Sequence, residues 1–465
     1  MKLLIKSGTV INSDGRRVAD VLVNNGQIEA VEENIAPGAH EEIAEVVDAS
    51  GLFVLPGAID VHTHFQLPFG DISSADDFFT GTRAAACGGV TTVIDFVSPE
   101  SGESLMGALE KRKAEANEKV CIDYGLHICL SDIFDRGLIE LTEVVKAGVT
   151  SFKIFMTYAS RVTDGEFRRT LEYARHLRAL VMVHAEDHDE LEANRAKFIA
   201  EGKTDAWHHY LSRPEIVEAK AVKKAIELTK EVGASLYIVH LACADGLEAV
   251  RQVQAESVIL KNDPSATHDY NVYAETCPQY LKFTYDVYKR PDGRNFVCSP
   301  PMKGMKSRKA LWESVKGKSG INTIATDHCP FKSTEKDRGI DDFTKIPNGV
   351  MGVENLYPYM LSEANNKNLT FERVVELCSA NPAAIFGIPC KGKIAPGFDA
   401  DIVLYDTKKD FTISQSNMHS NIDYTIWEGV ALNGYPVKTY SRGELVYDNG
   451  EFKGKAGAGR FIERT

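Results

Sequence analysis

The chain has 465 residues, 43% of them hydrophobic, and a formal net charge of −13. That length exceeds what one core usually organises, so one large unit plus a smaller one is expected. An acidic balance of this size argues against nucleic acid or an anionic membrane as partner, because both require clustered positive charge.

The first 52 residues alternate short β-like runs with turns: Leu3-Leu-Ile before Ser7-Gly8, Val21-Leu-Val before Asn24-Asn25-Gly26, then Ile28-Glu-Ala-Val. The N-terminus turns polar after three apolar residues, too soon for a signal-peptide core. From residue 53 the pattern changes to apolar strands alternating with amphipathic helices. Strands are expected at 53–61, 90–97, 123–130, 151–156, 180–185, 235–241, 272–276 and 321–327. Helices are expected at Asp76–Cys87, Ser104–Asn117, Leu138–Lys146, Asp164–Leu180, Ile216–Val232, Asp245–Gln254 and Ser307–Val315. Eight such units predict an α/β fold, a (β/α)8 TIM-type barrel over 53–390; a doubly wound open sheet is the competing architecture. Beyond residue 391 short strands return, as in Asp401-Ile-Val-Leu-Tyr and Gly443-Glu-Leu-Val-Tyr. Neither β-rich end has strands enough to bury a face alone, so 1–52 and 391–465 together are expected to form one small β-sandwich. Nine cysteines without CxxC spacing read as reduced thiols in a cytoplasmic protein, and no run reaches the roughly 18 apolar residues of a membrane span.

His62-Thr63-His64 closes the first apolar run of the barrel. Alternation along a strand points both imidazoles the same way, which starts a divalent metal site. Alone, the pair would read first as two surface or barrel-lining histidines. Further candidates lie in later strands: Lys153, His184, His240 and Asp327. They fall at the ends of strands 1, 4, 5, 6 and 8, which only a closed barrel gathers at one mouth. Asp60 is open to two readings, a further ligand or an orienting group. An ammonium cannot bind a metal, but burial among cations lowers a lysine pKa, and the neutral amine of Lys153 can add carbon dioxide to give a carbamate. The ordinary alternative for Lys153 is a salt-bridged barrel lysine.

The ordered segments Gly57-Ala-Ile-Asp-Val-His-Thr-His, Asp76-Asp-Phe-Phe-Thr-Gly-Thr-Arg-Ala-Ala, Ser151-Phe-Lys-Ile-Phe-Met-Thr-Tyr, Val183-His-Ala-Glu, Glu275-Thr-Cys-Pro-Gln-Tyr-Leu, Ser299-Pro-Pro, Thr326-Asp-His-Cys-Pro-Phe and Lys345-Ile-Pro-Asn-Gly-Val span the chain. The chain thereby resembles the cyclic amidases of the amidohydrolase superfamily, D-hydantoinase and dihydropyrimidinase. The resemblance implies two divalent ions, zinc by preference, held by His62, His64, His184, His240 and Asp327 and bridged by a CO2-derived carbamate on Lys153. It further implies Tyr158 as the oxyanion donor, main-chain groups at Ser299 and Asn348 on the ring amide, Asp327 as proton carrier, and a homotetramer or homodimer joined in part through the C-terminal segment.

Dihydroorotases carry an arginine two residues after the second histidine; here that residue is Gln66, between Phe65 and Leu67 and followed by Pro68-Phe69. An apolar loop of Phe65, Leu67 and Phe69 favours a neutral, 5-substituted cyclic diamide as small-molecule substrate, hydrolysed to an N-carbamoyl amino acid. Allantoinase and dihydroorotase activities are the alternatives among enzymes. The alternative of another class is a non-catalytic scaffold, for which loss of metal ligands would be expected.

Overall fold

The computed structural model describes residues 2–36, 43–261 and 270–465, apart from the side chains of 134 and 135. The β-rich end expected over 1–52 thus includes Met1 and residues 37–42, which lie outside the described residues.

Eight parallel strands pair in sequence order: Ala58–Thr63, Val90–Val97, Asp123–Cys129, Ser151–Phe155, Leu180–His184, Ser235–Ile238, Asn271–Thr276 and Thr323–Ile324. The eighth returns to the first through its loop, where His328 N donates to His62 O at 3.3 Å and His64 N to His328 O at 2.9 Å. This is the barrel, and its helices follow the strands as the periodicity predicts. The helix Phe78–Cys87 starts on an Asp77 cap whose side chain accepts from Thr80 N, with the Thr80 hydroxyl returning the bond. Helix Asp164–Leu177 stops three residues before the expected end because Arg178 turns left-handed. The barrel interior is packed by inward residues of the strands, among them Ile59, Val61, Ile94, Phe96, Met182, Tyr237 and Val239. It is a filled core with its chemistry at the rim.

Three expected strands differ, the sixth by ending at Ile238, two residues before His240. The run 53–61 is two strands, Phe53–Pro56 in a separate sheet and Ala58–Thr63 in the barrel. Gly57 is the switch point, where a Cβ would stand 2.1 Å from Thr91 Oγ1, so only glycine allows the close approach. The eighth strand is only Thr323–Ile324, the rest of 321–327 being loop. That loop is held by Asp60, whose carboxylate accepts from Thr326 N at 3.1 Å and from Thr326 Oγ1 at 2.5 Å.

Both ends of the chain build the second sheet. Its order is Glu451–Phe452, Glu444–Asp448, Tyr435–Ser441, Ile402–Asp406, Phe53–Pro56, Lys2–Asn12, Gly15–Asn24 and Gln27–Glu32, with Ile43–Asp48 also paired to Lys2–Asn12. Its own core includes Leu3, Ile5, Val21, Val54, Ile402 and Leu404. Among the described residues no helix is long and apolar enough to cross a membrane.

Candidate metal centre and active site

Alternation at the end of the first barrel strand sets His62 and His64 side by side, ring centroids 5.2 Å apart. Asp327, from the loop after the eighth strand, faces both: its Oδ1 lies 3.2 Å from His62 Nε2 and 3.2 Å from His64 Nε2. His240 follows the sixth strand, 5.5 Å from the His62 ring and 4.6 Å from that of His184 at the end of the fifth. Lys153, in the fourth strand, is buried with Nζ between Phe96 and Phe155, 5.5 and 5.4 Å from their ring centroids. All of these positions lie at the C-terminal end of the barrel. Asp60, by contrast, is turned to Thr326 and His62 N and ties the barrel shut rather than facing Asp327.

Two further buried carboxylates orient the imidazoles. Glu275 accepts from His62 Nδ1, from His240 N at 2.9 Å and from the Tyr237 hydroxyl at 2.8 Å. That leaves His62 Nε2 directed at Asp327. Glu186 pairs with His184 Nε2 at 2.8 Å and with Arg213. Such carboxylate–imidazole pairs fix ring orientation around metals. Sequence reasoning assigned no role to either carboxylate. For Glu186 a signal existed, since it stands two residues past His184 and so on the same face of the extended chain.

Electrostatics suit cation binding. Burial pushes the pKa of His64 down, of His184 down, and of His240 well down, so these imidazoles are neutral donors. Burial also lowers Lys153 to about 8, with Glu275 and Asp327 offsetting only part of the effect. Burial pushes Asp327 up, but the neighbouring His62 and His64 more than reverse it and leave the carboxylate below its ordinary range. His64 Nδ1 and His240 Nδ1 are buried without a hydrogen-bond partner among the described residues. Buried nitrogens left unpaired are costly, and a bound cation is one way to satisfy them. Strain points the same way: Asp327, His240 and Tyr158 all have positive φ, at 52°, 38° and 71°. Another trio, Cys87, Glu354 and His419, also brings donor atoms within 4.8 Å, but its Glu354 carboxylate is already taken up by His419 Nδ1 at 2.6 Å and His419 N at 2.8 Å.

Tyr158 stands beside the centre, its ring 5.1 Å from that of His184 and 5.7 Å from the Arg213 guanidinium carbon. Burial raises its hydroxyl to about 12, against the pull of Arg213, so it stays protonated and can donate. Ser299 is buried and Asn348 half-buried, in two loops joined by Gly349 N donating to Val297 O at 2.9 Å.

Sequence profiles and solved structures agree on the affiliation. The profile of the amidohydrolase family matches residues 53–446. D-phenylhydantoinase of Escherichia coli K12 is 40% identical over 472 residues, covering 100% of this chain and 98% of that protein. The chain belongs to the amidohydrolase family, on its hydantoinase and dihydropyrimidinase branch. The crystal structure of dihydropyrimidinase from Brevibacillus agri NCHU1002 superposes with a TM-score of 0.94 at 39% identity, over 100% of this chain and 99% of that one. An L-hydantoinase (dihydropyrimidinase) from Arthrobacter aurescens reaches 0.89 at 29% identity, over 99% of each chain.

The three apolar side chains of the loop Phe65–Phe69 meet different surroundings. Leu67 lines a cavity of about 350 Å³ with Gln66, Pro68, Phe96 and Val97, and Phe96 stacks on His64 at 4.7 Å. Phe65 is not brought to that cavity; its ring is fully buried against Phe78 and His328, where Gly81 leaves it room. Phe69 is 46% exposed and packs edge-on to Phe331. The cavity is also less neutral than the loop's sequence suggests. Arg112 lines it from a helix, engaged with Asp95, Glu115 and Phe65 O, and Lys119 Nζ donates to Gln66 Oε1 at 2.9 Å.

Proposed function

We propose that this chain hydrolyses the ring amide of 5-substituted hydantoins and dihydropyrimidines to N-carbamoyl amino acids. The observation that carries the reading is the convergence of His62, His64, His184, His240, Asp327 and Lys153 at one barrel mouth, beside Tyr158 and the Leu67–Phe96 cavity. The four imidazoles, the carboxylate and a carbamate on Lys153 would hold two divalent ions, zinc by preference. Such a pair supplies a water of near-neutral pKa and polarises a carbonyl.

The chain's own groups account for the remaining steps. Main-chain groups at Ser299 and Asn348 hold the ring amide, while the cavity takes the 5-substituent. The Tyr158 hydroxyl, protonated at neutral pH, donates to the carbonyl oxygen as it becomes an oxyanion. Asp327 is ionised, so it accepts the proton of the attacking water and returns it to the ring nitrogen as the C–N bond breaks. One water is consumed, and the ring opens to a carboxylate and a free ureido group.

The same reading divides the chain into a barrel over 53–390 and a smaller domain from 1–52 and 391–465, to which the strand Phe53–Pro56 is added by its pairing in the terminal sheet. It also makes the protein a cytoplasmic homotetramer, or a dimer, with the C-terminal segment at the subunit contact. The nine free cysteines fit a reducing compartment. A dihydroorotase-type reading draws on Lys111 and Arg112 beside the cavity, but Lys111 faces Glu100 at 3.3 Å and Arg112 is engaged by Asp95 and Glu115. A substrate carboxylate left without a partner costs at least a few kcal/mol, on the order of a hundredfold in specificity. The test is kcat/KM with zinc-loaded protein on dihydrouracil, hydantoin, 5-phenylhydantoin, dihydroorotate and allantoin. The uncharged 5-substituted rings should lead; dihydroorotate as best substrate would overturn the assignment.

A further inference from the structure

Lys336 lies outside every role described above, yet its side chain is completely buried. It ends the short helix Ser333–Lys336, nine residues past Asp327. Its Nζ donates to Val297 O at 2.9 Å, to Pro347 O at 2.7 Å and to Gly349 O at 2.7 Å. None of these acceptors is a carboxylate. Two of them flank Asn348 on either side, and the third lies two residues before Ser299. One ammonium therefore ties together the two loops to which the proposed function assigns the ring amide.

The surroundings make this a fixed arrangement. Gly349 N adds its own bond to Val297 O at 2.9 Å. Gly349 has φ +145°, and a Cβ there would come 2.1 Å from Cys329 O, so the Asn348 loop lies directly against the segment that follows Asp327. On the other loop, His209 Nε2 meets Cys298 O at 2.9 Å, next to Ser299. Three carbonyl oxygens converge on this nitrogen, and a lysine ammonium carries three N–H donors on one atom. Charge at this depth is expensive: burial pushes Lys336 down to about 7. If filling space were the only need, an aliphatic side chain would serve at less cost.

We infer that Lys336 is a positioning residue for substrate binding, locking the Ser299 and Asn348 loops in one placement relative to Asp327 so that their main-chain groups grip the ring amide together. This rests on the assignment of those loops under the proposed function. Among the described residues Lys336 has no hydrogen bond to a metal-ligand candidate and does not line the cavity beside Phe96, so its loss should act on ring binding and leave the metal centre intact.

The experiment compares wild type, Lys336→Met and Lys336→Gln, each zinc-loaded, by metal content, active-site titration and the KM and kcat of a cyclic amide the wild type opens. Lys336→Met keeps the volume and loses every donor; Lys336→Gln keeps two. The expected result is two metals per folded subunit in all three, with KM raised about ten- to a hundredfold in the Met variant and less in the Gln variant. The kcat per active site should move by no more than about threefold. If the Met variant does not fold, a raised KM in the Gln variant alone still supports the inference. Unchanged KM in the folded variants, with loss only of active fraction or thermal stability, would overturn it and leave the proposed function standing. A wild type inert on every cyclic amide would instead overturn the proposed function.

Discussion

At the mouth of the barrel Lys153 is buried among aromatic rings and metal-ligand candidates; at the base Lys391 is buried among carboxylates. Burial pushes both ammonium groups down. For Lys153 the offset from Glu275 and Asp327 is incomplete, and it falls to about 8. Lys391 has Asp401 at 2.6 Å, Asp123 at 2.9 Å and Asp399 at 3.0 Å, and these reverse the effect, so its pKa is raised. Asp123 begins the third barrel strand, while Asp399 and Asp401 precede a strand of the terminal sheet, so Lys391 joins the two units. The same side chain is thus kept charged as an adhesive in one place and given access to its neutral form in the other. A neutral amine is what carbamate formation needs.

At the mouth the strained and unpaired groups are the candidate site residues themselves. Orphaned imidazole nitrogens and left-handed backbone at Tyr158, His240 and Asp327 collect there. Active sites concentrate such costs when the surrounding structure holds them in place.

The largest effect that would break this comparison is at Lys153. Lys153→Ala should lower metal content and nearly abolish cyclic-amide hydrolysis, and short carboxylic acids should partly restore both by standing in for the carbamate. The check is metal per subunit measured alongside rate. A fully active variant holding two metals would place Lys153 in the same structural class as Lys391.

Next in size is Lys391→Met, which leaves three buried carboxylates facing an apolar group. Removing one partner from a buried ion cluster costs about 3–5 kcal/mol. A loss of unfolding free energy of that size, read as a lower urea midpoint, is expected, with metal per folded subunit and KM unchanged. A loss of metal binding without a loss of stability would show that the base and the mouth are not separable.

Much of the mouth was legible because strand alternation is a local rule: His62 and His64 at i and i+2, and later ligand candidates at the ends of apolar runs, need no distant information. What escaped depends on contacts between remote segments. Glu275 reaches His62 across 213 positions, and Arg112 reaches Asp95 from a helix whose sequence does not say which strand its charged side chains meet. Phe65 and Leu67 look alike in sequence, yet Phe65 is drawn inward to Phe78 by the gap at Gly81 while Leu67 lines the cavity. The strand break at Gly57 was hidden for a related reason: an apolar run does not say which sheet it joins, and the close approach of Thr91 becomes visible only in three dimensions. Asp60 is ambiguous in the sequence alone because Thr326, which donates to it, lies 266 positions away.

The smallest of these effects sharpens the comparison most, because it should separate rate from every other property of the mouth. Tyr158→Phe keeps the ring against His184 and removes one hydroxyl. The hydroxyl is protonated across the working range, its pKa raised to about 12, so below that pH the wild type offers a donor alongside an ionised Asp327. Loss of one oxyanion donor typically costs about 10²–10³ in kcat, or roughly 2.7–4 kcal/mol. Metal content should not change, since the phenol is not among the ligands, and neither should the urea midpoint. The variant would then be the counterpart of Lys391→Met: one loses rate and keeps stability, the other the reverse. Single-turnover rates on a 5-substituted hydantoin, with zinc measured in the same samples, decide the matter. If Tyr158→Phe loses activity only in proportion to lost zinc, its hydroxyl supports the metal centre rather than the oxyanion, and the division of labour at the mouth must be redrawn.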